Sequence, residues 1–167
     1  MIKQWVLAAA FTAALTAAAS AQAVKPYGQG FDGWVFTVTQ EKPDLFNCRA
    51  TRKLGGREDI MALRTNMDGY LSVKSEGRTG KFKGTLVNVI GQPRGRLEWT
   101  VTAEAAGPRM WFPLDLGAIG TLAAAGGFEF SLGDTEDTGK VNLGKRAGEA
   151  WARVNQCAIA SQKKPGR

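Results

Sequence analysis

The sequence predicts a mainly β domain of the α+β class, either a twisted antiparallel sheet or a β-sandwich, with a short helix and a C-terminal helix packed on it. Three observations predict it. Short runs rich in β-branched and aromatic residues recur between Gly, Pro, Asn and Asp turn signals. Arg96 to Glu104 alternates cleanly, with Leu97, Trp99 and Val101 on one side and Glu98, Thr100 and Thr102 on the other. The period then changes to a helical one twice in the last third of the chain.

Residues 1–23 have the three parts of a secretory signal: Lys3 as the positive end, an uncharged Ala- and Leu-rich run from Trp5 to Ala19, and an A-x-A cleavage site at Ala21-Gln22-Ala23. The run is short for a bilayer span, which takes about 20 residues, so cleavage and a soluble mature protein are expected. The Gly-rich stretch 24–33 reads as a flexible leader. Strands are expected at Trp34–Thr39, Leu45–Arg52, Asp59–Thr65, Tyr70–Lys74, Phe82–Ile90, Arg96–Glu104, Arg109–Asp115, Phe128–Leu132 and Lys140–Leu143. Asn66-Met-Asp-Gly69 is a hairpin signal between the third and fourth of these. Leu116–Ala125 is Ala-rich and ends at Gly126-Gly127, which marks a short helix. In Gly144–Ala160 the residues Ala147, Trp151, Val154 and Ala158 recur at helical spacing, and Cys157 lies within about 120° of Trp151 around the axis. Residues 34–160 form one domain, and 161–167 are a disordered basic tail.

Composition bounds the function. The chain of 167 residues contains no His. This excludes the Ser-His-Asp and Cys-His arrangements, His-based acid–base catalysis and nearly every zinc site. The two cysteines, Cys48 and Cys157, read as a disulfide in an exported chain. Closing a loop of about 110 residues stabilises by up to ~4.7 kcal/mol in the chain-entropy model, and the pairing removes thiol catalysis. The net charge of +7 is spread along the chain, with a tight cluster only at 163–167. Nucleic acid is a poor partner for an exported protein; the charge reads first as an aid to solubility, and otherwise suits anionic lipid head groups, glycans or an acidic protein. No cofactor and a monomer are expected.

Letter matches to chemical motifs fail on context. Gly28-Gln-Gly30-Phe-Asp-Gly33 lacks the preceding strand and following helix of a dinucleotide site. Asp134 to Gly139 places a Gly at the sixth position of a calcium loop, but Lys145 stands where the bidentate Glu belongs. Gly77 to Lys81 lacks the first Gly of a phosphate loop. Carboxylate pairs are available only as Glu98 with Glu104, about 20 Å apart along one strand, or Glu129 with Asp115. The interaction candidate is Arg109-Met-Trp111-Phe112, a cation beside large apolar groups of the kind that anchors interfaces, although Trp and Phe in a strand are usually core. Arg94 and Arg96, across a turn from this strand, extend it as a basic rim.

The order helix 116–125, strand 128–132, acidic loop, strand Val141–Leu143 and then Gly144-Lys-Arg-Ala147 opening a helix resembles the invasion-associated locus B family of exported alphaproteobacterial proteins, whose final segment resembles V-x-L-x-G-x-x-x-A. The likeness covers about a third of the chain, and the several cysteines of many members are missing here. The resemblance implies a β-sandwich-like envelope or secreted protein and carries no catalytic residue. The resulting expectation is a periplasmic or secreted, non-enzymatic binding module for a protein or envelope component. An inhibitor of a hydrolase, displaying Gly91–Gly95 or Asn66–Gly69 as a rigid loop, and a carboxylate-dependent hydrolase are the alternatives.

Overall fold

A computed structural model describes residues 23–133 and 135–162. Among the described residues ten strands form one antiparallel sheet. In chain order they are β1 (Val24–Pro26), β2 (Trp34–Lys42), β3 (Leu45–Leu54), β4 (Arg57–Arg64), β5 (Gly69–Lys74), β6 (Gly80–Val89), β7 (Glu98–Ala106), β8 (Arg109–Leu114), β9 (Gly127–Ser131) and β10 (Thr138–Asn142). The helices are α1 (Leu116–Ala124) and α2 (Ala147–Ser161). The spatial order is β1-β2-β3-β4-β5-β8-β7-β6-β9-β10. The mainly β, α+β architecture with a short and a C-terminal helix is therefore present, as a single sheet.

The alternation of each strand sorts its side chains onto two faces. The register places Phe36, Ala50, Met61, Leu71 and Phe112 in one row across β2, β3, β4, β5 and β8, all buried. This inner face carries both helices. α2 turns Trp151, Val154, Cys157 and Ala158 inward, and the Cys48–Cys157 disulfide joins it to β3 across a Cα–Cα distance of 6.0 Å. α1 starts where Asp115 accepts a hydrogen bond from the Ala118 amide at 2.7 Å, an N-cap. It seats against β5 at Gly69, where a Cβ would lie 2.6 Å from the Leu114 carbonyl oxygen and 2.7 Å from Ile119 Cδ1.

The sheet curls tightly around the helices. β8 and β9 are three strands apart in the sheet, which in a flat sheet is ~14 Å. Yet the rings of Phe112 and Phe130 stand 5.0 Å apart. Arg52 of β3 likewise donates from Nη1 to the carbonyl of Leu143, just beyond β10, at 2.6 Å.

The ends of the domain differ from the sequence expectation. Part of the 24–33 leader is seated on the sheet: Val24–Pro26 pairs with Thr37–Thr39, and the Tyr27 amide donates to the Phe36 carbonyl. Its Gly and Pro residues read as loop, but an outermost strand tolerates Pro when the missing N–H faces away from the ladder. At the other end α2 runs to Ser161, and Gln162 Nε2 donates to the Thr65 carbonyl at 3.0 Å. The expected disorder at 161 and 162 is thus replaced by an anchored helix end. The secretory signal expected at 1–23, apart from residue 23, and the tail from residue 163 lie outside the described residues.

Candidate functional site

The outer face of the sheet holds a trough of about 310 Å³. Ala62 forms its floor, 1% exposed although its side chain points away from the helices. Its register neighbours are Arg49 on β3 and Tyr70 on β5. Asn47, Arg64 and Trp111 complete the walls, with Glu104 at the rim. One small residue among large neighbours on a pleated surface leaves a depression, and strand pairing brings together side chains distant in the chain.

Glu41 organises the wall. It accepts from Asn47 Nδ2 at 2.6 Å and from Arg64 Nε at 2.8 Å, with Arg49 Nη2 at 4.0 Å. Burial pushes the Glu41 carboxyl up, but the hydrogen bonds from Asn47 and Arg64 outweigh it and hold the group below the usual range. Arg64 Nη1 also donates to the Tyr70 hydroxyl at 2.6 Å, and its guanidinium lies 4.9 Å from the Tyr70 ring centroid. Arg64 is thereby committed within the protein. Two buried polar atoms of the trough residues are not: Asn47 Oδ1 and Arg49 Nε have no hydrogen-bond partner among the described residues.

The four residues expected to form one patch fall into two groups: Arg109 stands with Trp111, and Arg94 and Arg96 lie apart from them. Trp111 lines the trough. Arg109, two residues away on the same face of β8, stands beside it: Nε donates to Ser72 Oγ at 3.0 Å, Nη2 to the Ser72 carbonyl at 2.9 Å and Nη1 to the Glu58 carbonyl at 2.7 Å. Its guanidinium is 6.0 Å from the Trp111 ring. Burial lowers its pKa, opposed by Glu58 and Asp59. Arg109 is a staple across β8, β5 and β4 with few donors to spare. Arg94 and Arg96 lie at the other end of the sheet. Arg96 precedes β7, whereas Arg109 pairs with Ala106 at the close of β7, so they are ~27 Å apart along that strand. Arg94 is exposed and donates to Ser131 Oγ on β9 at 2.8 Å. The turn after β7 joins β8 to its far end, which the sequence reading did not resolve.

Three of the four carboxylates considered for catalysis have structural partners. Asp115 caps α1, Glu129 pairs with Lys140 at 3.0 Å and Glu104 lies 3.8 Å from Lys81. Of the acidic loop 133–139, Asp134 is outside the described residues, and Asp137 is bound by Arg78 through two hydrogen bonds of 2.6 and 2.7 Å. Among the described residues no group of three or more Cys, Asp or Glu is placed to hold a metal, and no helix is long and apolar enough to cross a membrane.

Sequence reasoning missed Asn47, Arg49, Ala62, Arg64 and Tyr70. Their only local trace is the alternation of Asn47, Arg49 and Thr51 opposite Cys48 and Ala50, a polar face that most half-buried strands share. Comparison with protein-family models, with curated proteins and with solved structures finds no match to this chain.

Proposed function

We propose that the protein is a non-enzymatic binding module of the cell envelope, exported to the periplasm or beyond, that seats an acidic segment of a partner protein in its outer-face trough. The carrying observation is Arg49: its buried Nε has no partner, and it borders an aromatic-walled depression floored by Ala62. A carboxylate completes that guanidinium with a charge-assisted hydrogen bond, while an adjacent apolar side chain rests between Tyr70 and Trp111. Aromatic and Arg residues around a desolvated pocket are the composition of interface anchors. The net charge of +7 favours an acidic partner. The disulfide, the leader expected at 1–23 and the resemblance of the C-terminal third to exported proteins support the compartment.

Selecting a phage-displayed random peptide library on the mature protein tests this reading. Enriched peptides are expected to carry Asp or Glu next to an aliphatic or aromatic residue and to lose binding to Arg49→Glu. Absence of enrichment, or equal binding to Arg49→Glu, contradicts it.

A further inference from the structure

A second cluster occupies the inner face, where the curled sheet opens towards the β3–β4 turn. Trp34, Arg52 and Asp59 stand side by side on β2, β3 and β4. Alternation puts them on the same face as Phe36, Ala50 and Met61, so they carry the wall of the core out to its mouth. The mouth opens into a pocket of about 450 Å³ lined by Arg52, Arg57 and Lys145 together with Asp32, Asp59 and Asn142.

Its polar groups are incompletely satisfied. The Trp34 indole Nε1, on a residue 1% exposed, has no hydrogen-bond partner among the described residues, and neither has the buried Arg52 Nε. Arg52 lies 5.9 Å from the Trp34 ring and uses Nη1 on the Leu143 carbonyl. Arg57 reaches Asp59 only at 3.5 Å. α2 begins directly behind Lys145, and its N-cap residue, Arg146, makes no side-chain cap hydrogen bond, so the positive end of that helix adds to the cationic mouth. Unpaired buried donors beside three cations are costly in isolation and suit an incoming acceptor.

We propose that this mouth binds a small anionic sugar, with its phosphate or carboxylate on Arg52, Arg57 and Lys145 and its hydroxyl groups on Asp32 and Asn142. The volume falls in the range of small-molecule pockets, roughly 300–1,000 Å³, and exceeds what a bare oxyanion fills. Asp59 makes the site pH-dependent. Burial raises its pKa against the opposing charges of Arg57, Arg109 and Arg52; Asp32 and Lys145 are the other charged groups at the mouth. A bound anion penalises the Asp59 carboxylate further, so binding takes up a proton and tightens as pH falls. This site is separate from the trough and does not depend on the reading given for it.

Titration of the ¹⁵N-labelled mature protein with glucose 6-phosphate, glucuronate, glucose and inorganic phosphate, read at the Trp34 indole and the Gly144 and Lys145 amides, tests the proposal. At least one anionic sugar is expected to give a saturable shift. Its affinity is expected to exceed those of glucose and inorganic phosphate about tenfold or more, and to weaken about tenfold or more in Lys145→Glu, a rim substitution remote from the core. The Asp59→Asn variant is expected to fold and to bind glucuronate, whose own carboxylate stays ionised above the ordinary carboxyl pKa, with the pH dependence removed. Absence of a saturable shift with both anionic sugars, equal affinity for glucose, or unchanged binding by Lys145→Glu overturns it.

Discussion

Cys48 on β3 and Cys157 on α2 are bonded across 109 residues of chain, and both are buried at the contact between sheet and helix. The bond therefore fastens the C-terminal helix to the third strand and encloses most of the fold in one covalent loop. Replacing both cysteines by Ala is expected to lower the unfolding free energy by about 2–4 kcal/mol. Guanidinium unfolding of the variant, compared with the oxidised wild type, measures this directly. A midpoint unchanged by the substitution contradicts the role.

Gly139 on β10 faces Phe130 on β9, whose ring covers the space a Cβ needs. The same ring packs on Phe112, so it cannot withdraw without disturbing the core. Gly139→Val is expected to cost about 1–3 kcal/mol through overpacking. The neighbouring, exposed Thr138→Val is expected to stay within about 0.5 kcal/mol of wild type. Thermal and denaturant unfolding of the pair separates a steric cause from a general intolerance of the edge strand.

Two carboxylates give stability opposite pH dependences. Glu41 is held below its ordinary pKa by Asn47 and Arg64 against the upward push of burial. Its contribution is present above the unfolded-state pKa and is lost as pH falls through the folded-state value. Asp59 is raised chiefly by burial. In the folded state it keeps its proton to higher pH than in the unfolded state, so stability falls as pH rises from its unfolded to its folded pKa. Glu41→Gln is expected to flatten the acid limb of the stability–pH curve, and Asp59→Asn to remove the decline above it. Denaturant unfolding at intervals from about pH 3 to pH 8, spanning the carboxylate range, reads both.

Arg78 and Asp137 join the β5–β6 and β9–β10 connections through paired hydrogen bonds, with the guanidinium 5.8 Å from the Phe130 ring. Asp137 is 39% exposed, so solvent screens the pair. A double-mutant cycle of Arg78→Ala and Asp137→Ala is expected to give a coupling of no more than about 1 kcal/mol, diminished at high salt. A larger coupling that ignores salt contradicts the screened picture.

The sequence showed the elements more clearly than their arrangement. The strands expected at Trp34–Thr39 and Arg96–Glu104, which run over Trp34–Lys42 and Glu98–Ala106 in the fold, are legible because alternation and β-branched residues are local properties. The disulfide was legible because two cysteines leave one pairing. The trough was not, because Arg49, Ala62, Arg64, Tyr70 and Trp111 meet only through the pairing of β3, β4, β5 and β8, and no local pattern encodes that order. The same gap explains the misplaced Arg94 and Arg96. They are close to Trp111 in the chain, but β7 runs the length of the sheet between them. Val24–Pro26 was missed because its strand character comes from the ladder with β2 rather than from its own composition.

The most direct test of the binding account is site-specific photo-crosslinking in cells, with benzoylphenylalanine at Ala106, at the lip of the trough, or at Ile159, exposed on α2, which covers the opposite face of the sheet. The expected result is a discrete adduct from position 106 that disappears with Arg49→Glu or Trp111→Ala, and none from position 159. Adducts of equal yield from both positions, or an adduct from position 106 indifferent to Arg49 and Trp111, contradict the assignment of the trough as the binding surface.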